Sequence, residues 1–231
     1  MIDRWKYLRK GLFRSVEPLV ELVAISKPVG RFVDLCITET LPGFTARVSH
    51  ESKGTQDDDL RLNRDLIKKR HHTPLESVCF TFLVSGITKS LQNQWVRHRI
   101  GVGWTYRSTR FVPASENNFI YCTYDYVNDE QKVRKLLAID EEKAKKAIED
   151  YEEKRRLGAT KQDSRKIMPV FWNTPCYFYC NVCSLRYFFN LRLAKDAEWE
   201  IRRMAKLMFE IVIKEVPSLF EDFIELARKE D

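Results

Sequence analysis

Between Ala197 and Val212, the residues Ile201, Met204, Ala205, Met208, Ile211 and Val212 recur at helical spacing, forming one apolar stripe. A helix with one such stripe must bury it against another layer. The layer is supplied by β-prone runs: Leu19 to Ile25, Ser77 to Val84, Phe119 to Tyr126 and Tyr177 to Val182. The second run (SVCFTFLV) is apolar at both alternations, as in a buried strand. Helices are predicted from about Asp59 to His71, through Ile87, Leu91 and Trp95 into Arg97-His98-Arg99, over Asp140 to Leu157, and over Ser184 to Arg192. Thr160 caps a short helix carrying Arg165, and Ser218 with Glu221 has capping-box spacing. Pro42 and Gly43 leave residues 33–48 undecided. Strand, helix, strand and then several helices does not suit a doubly wound sheet. The expectation is an α/β (α+β) chain with a basic extension at 1–17 and one domain over 18–231.

Charge narrows the partners. The formal net charge is +7, which suits a phosphorylated metabolite, a nucleotide cofactor or a nucleic acid, and equally a solvated basic surface. No apolar run reaches the length of a membrane span and no signal peptide is evident, so a cytoplasmic protein is expected. Its six cysteines, Cys36, Cys79, Cys122, Cys176, Cys180 and Cys183, are then expected to be mostly reduced and buried.

The chemistry concentrates in Gln94 to Phe111 (QWVRHRIGVGWTYRSTRF). Arg97, Arg99, Arg107 and Arg110 stand with His98, Ser108 and Thr109 around two glycines. Guanidinium forks match phosphate oxygens, and glycine lets backbone N–H groups approach an anion. Gln94 and Arg97, three apart on a helix, reach one ligand. Each feature alone is more often ordinary surface or a helix end.

The ordered set is more specific. His72-Thr73-Pro74-Leu75-Glu76, Phe80 to Phe82, Gln94-Trp95, Arg97-His98-Arg99 and Ser108-Thr109-Arg110-Phe111 resemble the motifs of the flavin-dependent thymidylate synthases. Ala46-Arg47-Val48-Ser49, Arg165 to Pro169, Asn181, Asn190-Leu191-Arg192 and Ala197 to Ile201 extend the resemblance over roughly residues 19–227. It implies a mixed sheet flanked by helices, a homotetramer with active sites between subunits, FAD as hydride carrier, NADPH as reductant and methylenetetrahydrofolate as carbon donor. The implied reaction is C5 methylation of dUMP to dTMP, with UMP or another pyrimidine nucleotide as the alternative. By similarity Ser49, Thr73, Glu76, Arg97, His98, Arg99, Ile100 and Asn181 contact the flavin. Gln94, Arg97, Ser108, Thr109, Arg110, Arg165 and Arg192 hold the nucleotide, with Arg165 and Ser108 coming from different subunits. Arg192 faces the pyrimidine, and His71 stands at the folate and nicotinamide entrance; Arg192, Arg97 and His71 are the implied catalytic residues.

The chain also departs from the family pattern. Thr105-Tyr106-Arg107 replaces the usual Asn-Glu spacer, and Cys183, Tyr187, Asp196 and Glu198 replace other family residues. Two rival readings compete. Cys176, Cys180 and Cys183 have the C-x3-C-x2-C spacing that ligates a [4Fe–4S] cluster in radical S-adenosylmethionine enzymes, although no glycine-rich loop accompanies them. The pI near 9.0 and the many aromatics suggest nucleic-acid binding, but no such module is recognisable, so none is expected. No metal site and no cysteine nucleophile are expected.

Overall fold

In the computed structural model, strand β1 occupies Leu19–Ile25, with the bounds its apolar run predicts. The structure describes residues 18–113, 119–122, 124 and 126–228; the N-terminal extension lies outside them. Helices α1 (Leu41–Ala46) and α2 (Gln56–Lys68) follow, then β2 (Cys79–Ser85), α3 (Lys89–Trp95) and β3 (Val102–Tyr106). The second half carries α4 (Glu130–Arg156), α5 (Lys161–Ser164), β4 (Cys176–Asn181), α6 (Val182–Arg192), α7 (Trp199–Glu215) and α8 (Ile224–Ala227).

The strands form one sheet in the order β1-β2-β4-β3. Its pairings join the end of one strand to the start of the next: Ser26 N–H donates to Cys79 O, Val182 N–H to Val78 O, and Asn181 N–H to Gly101 O. All three pairings are therefore antiparallel. The expected α+β class holds, and the mixed sheet implied by resemblance narrows to an antiparallel one.

The chain falls into two units that interleave in sequence. One includes Val84–Trp95 and Thr105–Cys176; the other includes Val20–Leu83, Val96–Trp104 and the chain from Tyr177 onward. In the second unit, Phe80 and Phe82 alternate inward on β2, and Phe178 does so on β4. Phe82 stacks on Phe178 with centroids 6.5 Å apart. Phe189 of α6 meets Phe209, Phe220 and Phe223 edge-on at 5.6–5.9 Å. Arg186 closes this cluster: it lies over the Phe223 ring and pairs with both carboxylate oxygens of Asp222 at 2.8 and 2.6 Å. In the first unit, Phe119, Ala144, Ala147, Ile148 and Trp172 make a smaller core.

Local chemistry sets the element ends. Helix α2 begins earlier than expected because Thr55 and Asp58 form a reciprocal capping box. Helix α4 starts well before Asp140 because Asp129 caps it, accepting from Gln131 and Lys132 N–H. Thr160 caps α5 as expected. The capping box at Ser218 does not form: Ser218 N–H donates to Glu39, and Glu221 instead pairs with Arg64. Phe119 makes only a bridge to Trp172, so the strand expected there is absent among the described residues. Helix α3 stops at Trp95 rather than running into Arg97–Arg99.

Phe189 is fully buried beneath four phenylalanine rings. Its truncation to alanine should cost about 3–5 kcal/mol, read as a lower urea midpoint with an unchanged slope. A loss under about 1 kcal/mol would show that this cluster repacks freely.

Candidate active site

In the first unit, Ser108, Thr109 and Arg165 come together. Arg165 Nη1 donates to Thr109 Oγ1 at 3.0 Å. They line a cleft of about 440 Å³ with Lys89, Gln92, Arg107 and Lys166. Among the described residues, no carboxylate lines it. Arg165 and Ser108 thus meet within one chain, where the resemblance implied separate subunits. The short cap at Thr160 and the turn after it present Arg165.

The sequence reading named none of Lys89, Gln92 and Thr174 for this cleft, and it named Arg107 without its anchor. Lys89, at the start of α3, donates to Gln92 Oε1 at 2.6 Å, and Thr174 Oγ1 donates to the same oxygen at 3.2 Å. Loss of water holds the Lys89 ammonium below the usual lysine value, and Arg165 adds repulsion. Arg107 Nη2 donates to Asn173 O at 3.0 Å, and its backbone N–H donates to Pro175 O. Burial lowers its affinity for the proton. Lys89 and Gln92, three apart on one helix face, carried the only signal available from spacing. Arg110 is exposed, its guanidinium over Phe111 at 5.6 Å, and it does not line the cleft; nor does Gln94.

The second unit gathers another set. Arg192, at the end of α6, donates from Nε to His98 Nε2 at 3.1 Å. His98 is buried, edge-on to Phe188 at 5.1 Å. Burial, with Arg192 repulsion second, pulls its pKa to about 4, so the imidazole is neutral near pH 7. A neutral ring accepting at Nε2 carries its proton on Nδ1, and Nδ1 is buried without a partner. Burial and then Arg97 hold the Arg192 guanidinium below the usual arginine value. Arg97 and Arg99 are exposed, and Ile100 is 90% exposed.

The turn after this triplet is fixed to α6. Ser184 Oγ donates to Ile100 O at 2.7 Å. Gly101 has φ +66°, and a Cβ there would lie 2.2 Å from Ser184 Oγ. Only glycine fits so close an approach at positive φ. Asn181, expected at the flavin, caps α6: its Oδ1 accepts from Ser184 N–H at 2.8 Å.

Ser49, His71 and Thr73 line a separate cleft of about 820 Å³ in the same unit. Arg97, His98 and Arg192 do not line it. Glu76 is exposed on the short 3₁₀ turn before β2, and its charge helps raise the Cys183 thiol to about 11. Burial is the larger cause of that rise. Of the substituted family positions, Tyr187 lies edge-on to His98 at 5.9 Å and Glu198 caps α7; Asp196 is exposed.

The cysteine spacing does not make a cluster site. Cys176 and Cys180 both point inward from extended β4, four residues and therefore about 13 Å apart along the strand. Cys183 Sγ donates to His72 O at 3.0 Å. Burial raises all three thiols, against the thiolate form that a cluster ligand or nucleophile needs.

His98 makes a prediction about pH. Its folded pKa lies below the unfolded value near 6.5, so the unfolded chain takes up a proton first as pH falls. Stability should drop between about pH 6.5 and 4, by up to about 3 kcal/mol, and this contribution should level off below. His98→Gln keeps an acceptor without the titration and should flatten the drop; equal drops in both proteins would refute this assignment.

The sequence matches the model of the family described as thymidylate synthase complementing protein over residues 33–218. The flavin-dependent thymidylate synthase of Thermosipho africanus is 30% identical over 225 residues, covering 92% of this chain and 97% of its own. That of Pyrococcus abyssi is 31% identical over 183 residues, covering 74% of this chain and 72% of its own. The crystal structure of the UMP/dUMP methylase PolB from Streptomyces cacaoi, bound with 5-Br dUMP, shares the fold at a TM-score of 0.77 and 22% identity, covering 95% of this chain and all of that one. The family model spans most of the chain, and the Thermosipho africanus enzyme is 30% identical over nearly its whole length; the chain belongs to the flavin-dependent thymidylate synthase family.

Proposed function

We propose that this chain methylates C5 of a pyrimidine nucleotide, with dUMP as the favoured acceptor and UMP as the alternative. The observation that carries the reading is the carboxylate-free cleft in which Ser108, Thr109 and Arg165 converge. Hydroxyls and guanidiniums without competing acids suit a phosphate. In the second unit, Arg192 is the group for the pyrimidine. Its Nε–H is committed to His98, which leaves the Nη edge to donate to a ring carbonyl. Such donation draws charge toward the oxygen as C5 becomes nucleophilic.

The residues around Arg97–Ile100 fit FAD. Arg97 and Arg99 are donors without acceptor capacity, His98 Nδ1 is an orphaned buried donor, and Ile100 offers an exposed apolar face. A flat, hydrogen-bonding, anionic group complements all four. FAD, when bound, supplies the hydride that completes the methyl group, NADPH being its reductant and methylenetetrahydrofolate the carbon donor. The cleft at Ser49, His71 and Thr73, whose walls carry Lys53 and Lys69 as well as Asp58 and Asp65, is the entrance for those co-substrates. Homotetrameric assembly and a cytoplasmic location go with this reading. Among the described residues no helix is long and apolar enough to cross a membrane.

The purified protein should take up FAD on titration, with the resolved absorption bands of oxidised flavin. Supplied with FAD, NADPH and methylenetetrahydrofolate, it should methylate dUMP or UMP but not dCMP. Absence of product from every nucleotide, with flavin bound and reduced, would end the methylation reading. Arg165→Ala should raise the nucleotide KM by at least about tenfold, the scale of a lost charge-assisted hydrogen bond. Cys176 is buried and its thiol stays protonated, so Cys176→Ser should keep most turnover. Complete loss in a folded, flavin-loaded variant would make it a nucleophile.

A further inference from the structure

One wall of the second-unit cleft is a segment that its own side chains do not hold. Ser49, His50, Ser52 and Lys53 line that cleft, while Val48, Glu51 and Gly54 border a neighbouring one of about 750 Å³. No side chain from Val48 to Gly54 is buried, and Val48 is 81% exposed. A segment between two clefts, with nothing in the core, has little packing to fix its shape. Its backbone is also strained: Glu51 is held at φ +47°, a left-handed conformation that a non-glycine residue keeps only under constraint.

The constraint comes from Arg47, at the start of the segment. Its Nε donates to Asp59 Oδ1 at 2.5 Å and its Nη1 to Lys53 O at 3.0 Å. The Asp59 side chain is 1% exposed and that of Arg47 16%, so the pair is largely out of water. The Arg47 carbonyl accepts from Ser52 N–H. One guanidinium therefore ties helix α2 to the far end of the segment, and the same residue's carbonyl closes the turn inside it. Gly54 makes room for this arrangement, since a Cβ there would lie 2.2 Å from Arg47 Cζ. A flat guanidinium fork can serve two acceptors at a fixed angle, which the point charge of a lysine cannot reproduce.

We propose that Arg47, anchored on Asp59, is a positioning residue that fixes the Val48–Gly54 wall and so sets the affinity of this cleft for its ligands. It acts through the wall and not on a reacting atom. The inference rests on the reading of the cleft as the entrance for methylenetetrahydrofolate and NADPH.

Two variants disturb the fork in different ways and leave Asp59 in place. Arg47→Lys keeps a cation beside the buried carboxylate but cannot span both acceptors. Gly54→Ala keeps Arg47 and pushes its guanidinium aside. Both are compared with the wild-type full chain loaded with FAD. Amide hydrogen exchange at residues 48–54 should quicken at least about tenfold in each, while exchange around Phe189 stays as in the wild type. The KM values and dissociation constants of methylenetetrahydrofolate and NADPH should rise about tenfold. kcat and the nucleotide KM should stay within about twofold, a split that general loss of structure would not give. Unchanged exchange at the wall in both variants would overturn the proposal. So would faster exchange with the affinity of both co-substrates unmoved. Faster exchange and weaker co-substrate binding, in a chain that methylates no pyrimidine nucleotide, would keep this inference and sink the methylation reading. Methylation by the wild-type chain, with wall exchange unchanged in both variants, would do the reverse.

Discussion

In the second unit, the Arg97–Gly101 turn hangs on helix α6. At its start Asn181 caps the helix while Ser184 holds the carbonyl of Ile100. At its end Arg192 reaches His98. The helix thus grips the Arg97–Gly101 turn at two points separated by most of its length, and the turn has no regular structure of its own to set its shape. The grip is itself anchored in the middle, where Arg186 and Phe189 tie the same helix into the aromatic cluster and to Asp222. A loop carrying two exposed arginines would otherwise sample many arrangements at a cost in binding entropy. Here one rigid element removes that freedom.

The first-unit cleft solves a different problem, which is how to hold cations without cancelling them. An acidic partner would position a guanidinium well but would also answer its charge, leaving little for a ligand. Amide, carbonyl and hydroxyl oxygens orient the donor and leave the net charge intact. The cost falls on the empty protein as mutual repulsion and is returned when an anion binds. In the second unit, by contrast, Arg47 is matched by the buried carboxylate of Asp59 at 2.5 Å and is a structural strut. The residue type alone does not separate these two uses of arginine; the partner does.

This difference explains what could be read from the sequence. Strand β1, the α7 stripe and the α5 cap follow from local alternation, periodicity and capping, which depend on neighbours a few residues away. Ser108, Thr109 and Arg165 were legible as phosphate chemistry because they sit in motifs. Lys89 was not, since its meaning depends on Gln92 and Thr174, brought near by folding; Arg107 was, but its anchor on Asn173 O was not. Asn181 was assigned to the flavin by resemblance alone, and its part as the cap of α6 was not read from the sequence. The cysteine triplet offered its rival reading for a related reason. A C-x3-C-x2-C spacing converges in a loop, but β4 draws Cys176 and Cys180 out along an extended line.

Helix α4 carries a further consequence. Its buried residues, Ala144, Ala147, Ile148 and Tyr151, all fall in its second half, and no helix residue before Ala144 is buried. The first ten residues are secured by the Asp129 cap and by exposed pairs such as Arg134–Glu130, each worth little in water. The helix is therefore graded in local stability along its length. Its amides should exchange with solvent fastest at Glu130–Ile139 and slowest around Ile148, opening from one end in steps well below the free energy of global unfolding. The part of the helix read from the sequence, Asp140 to Leu157, is the half that its buried residues Ala144, Ala147, Ile148 and Tyr151 make durable.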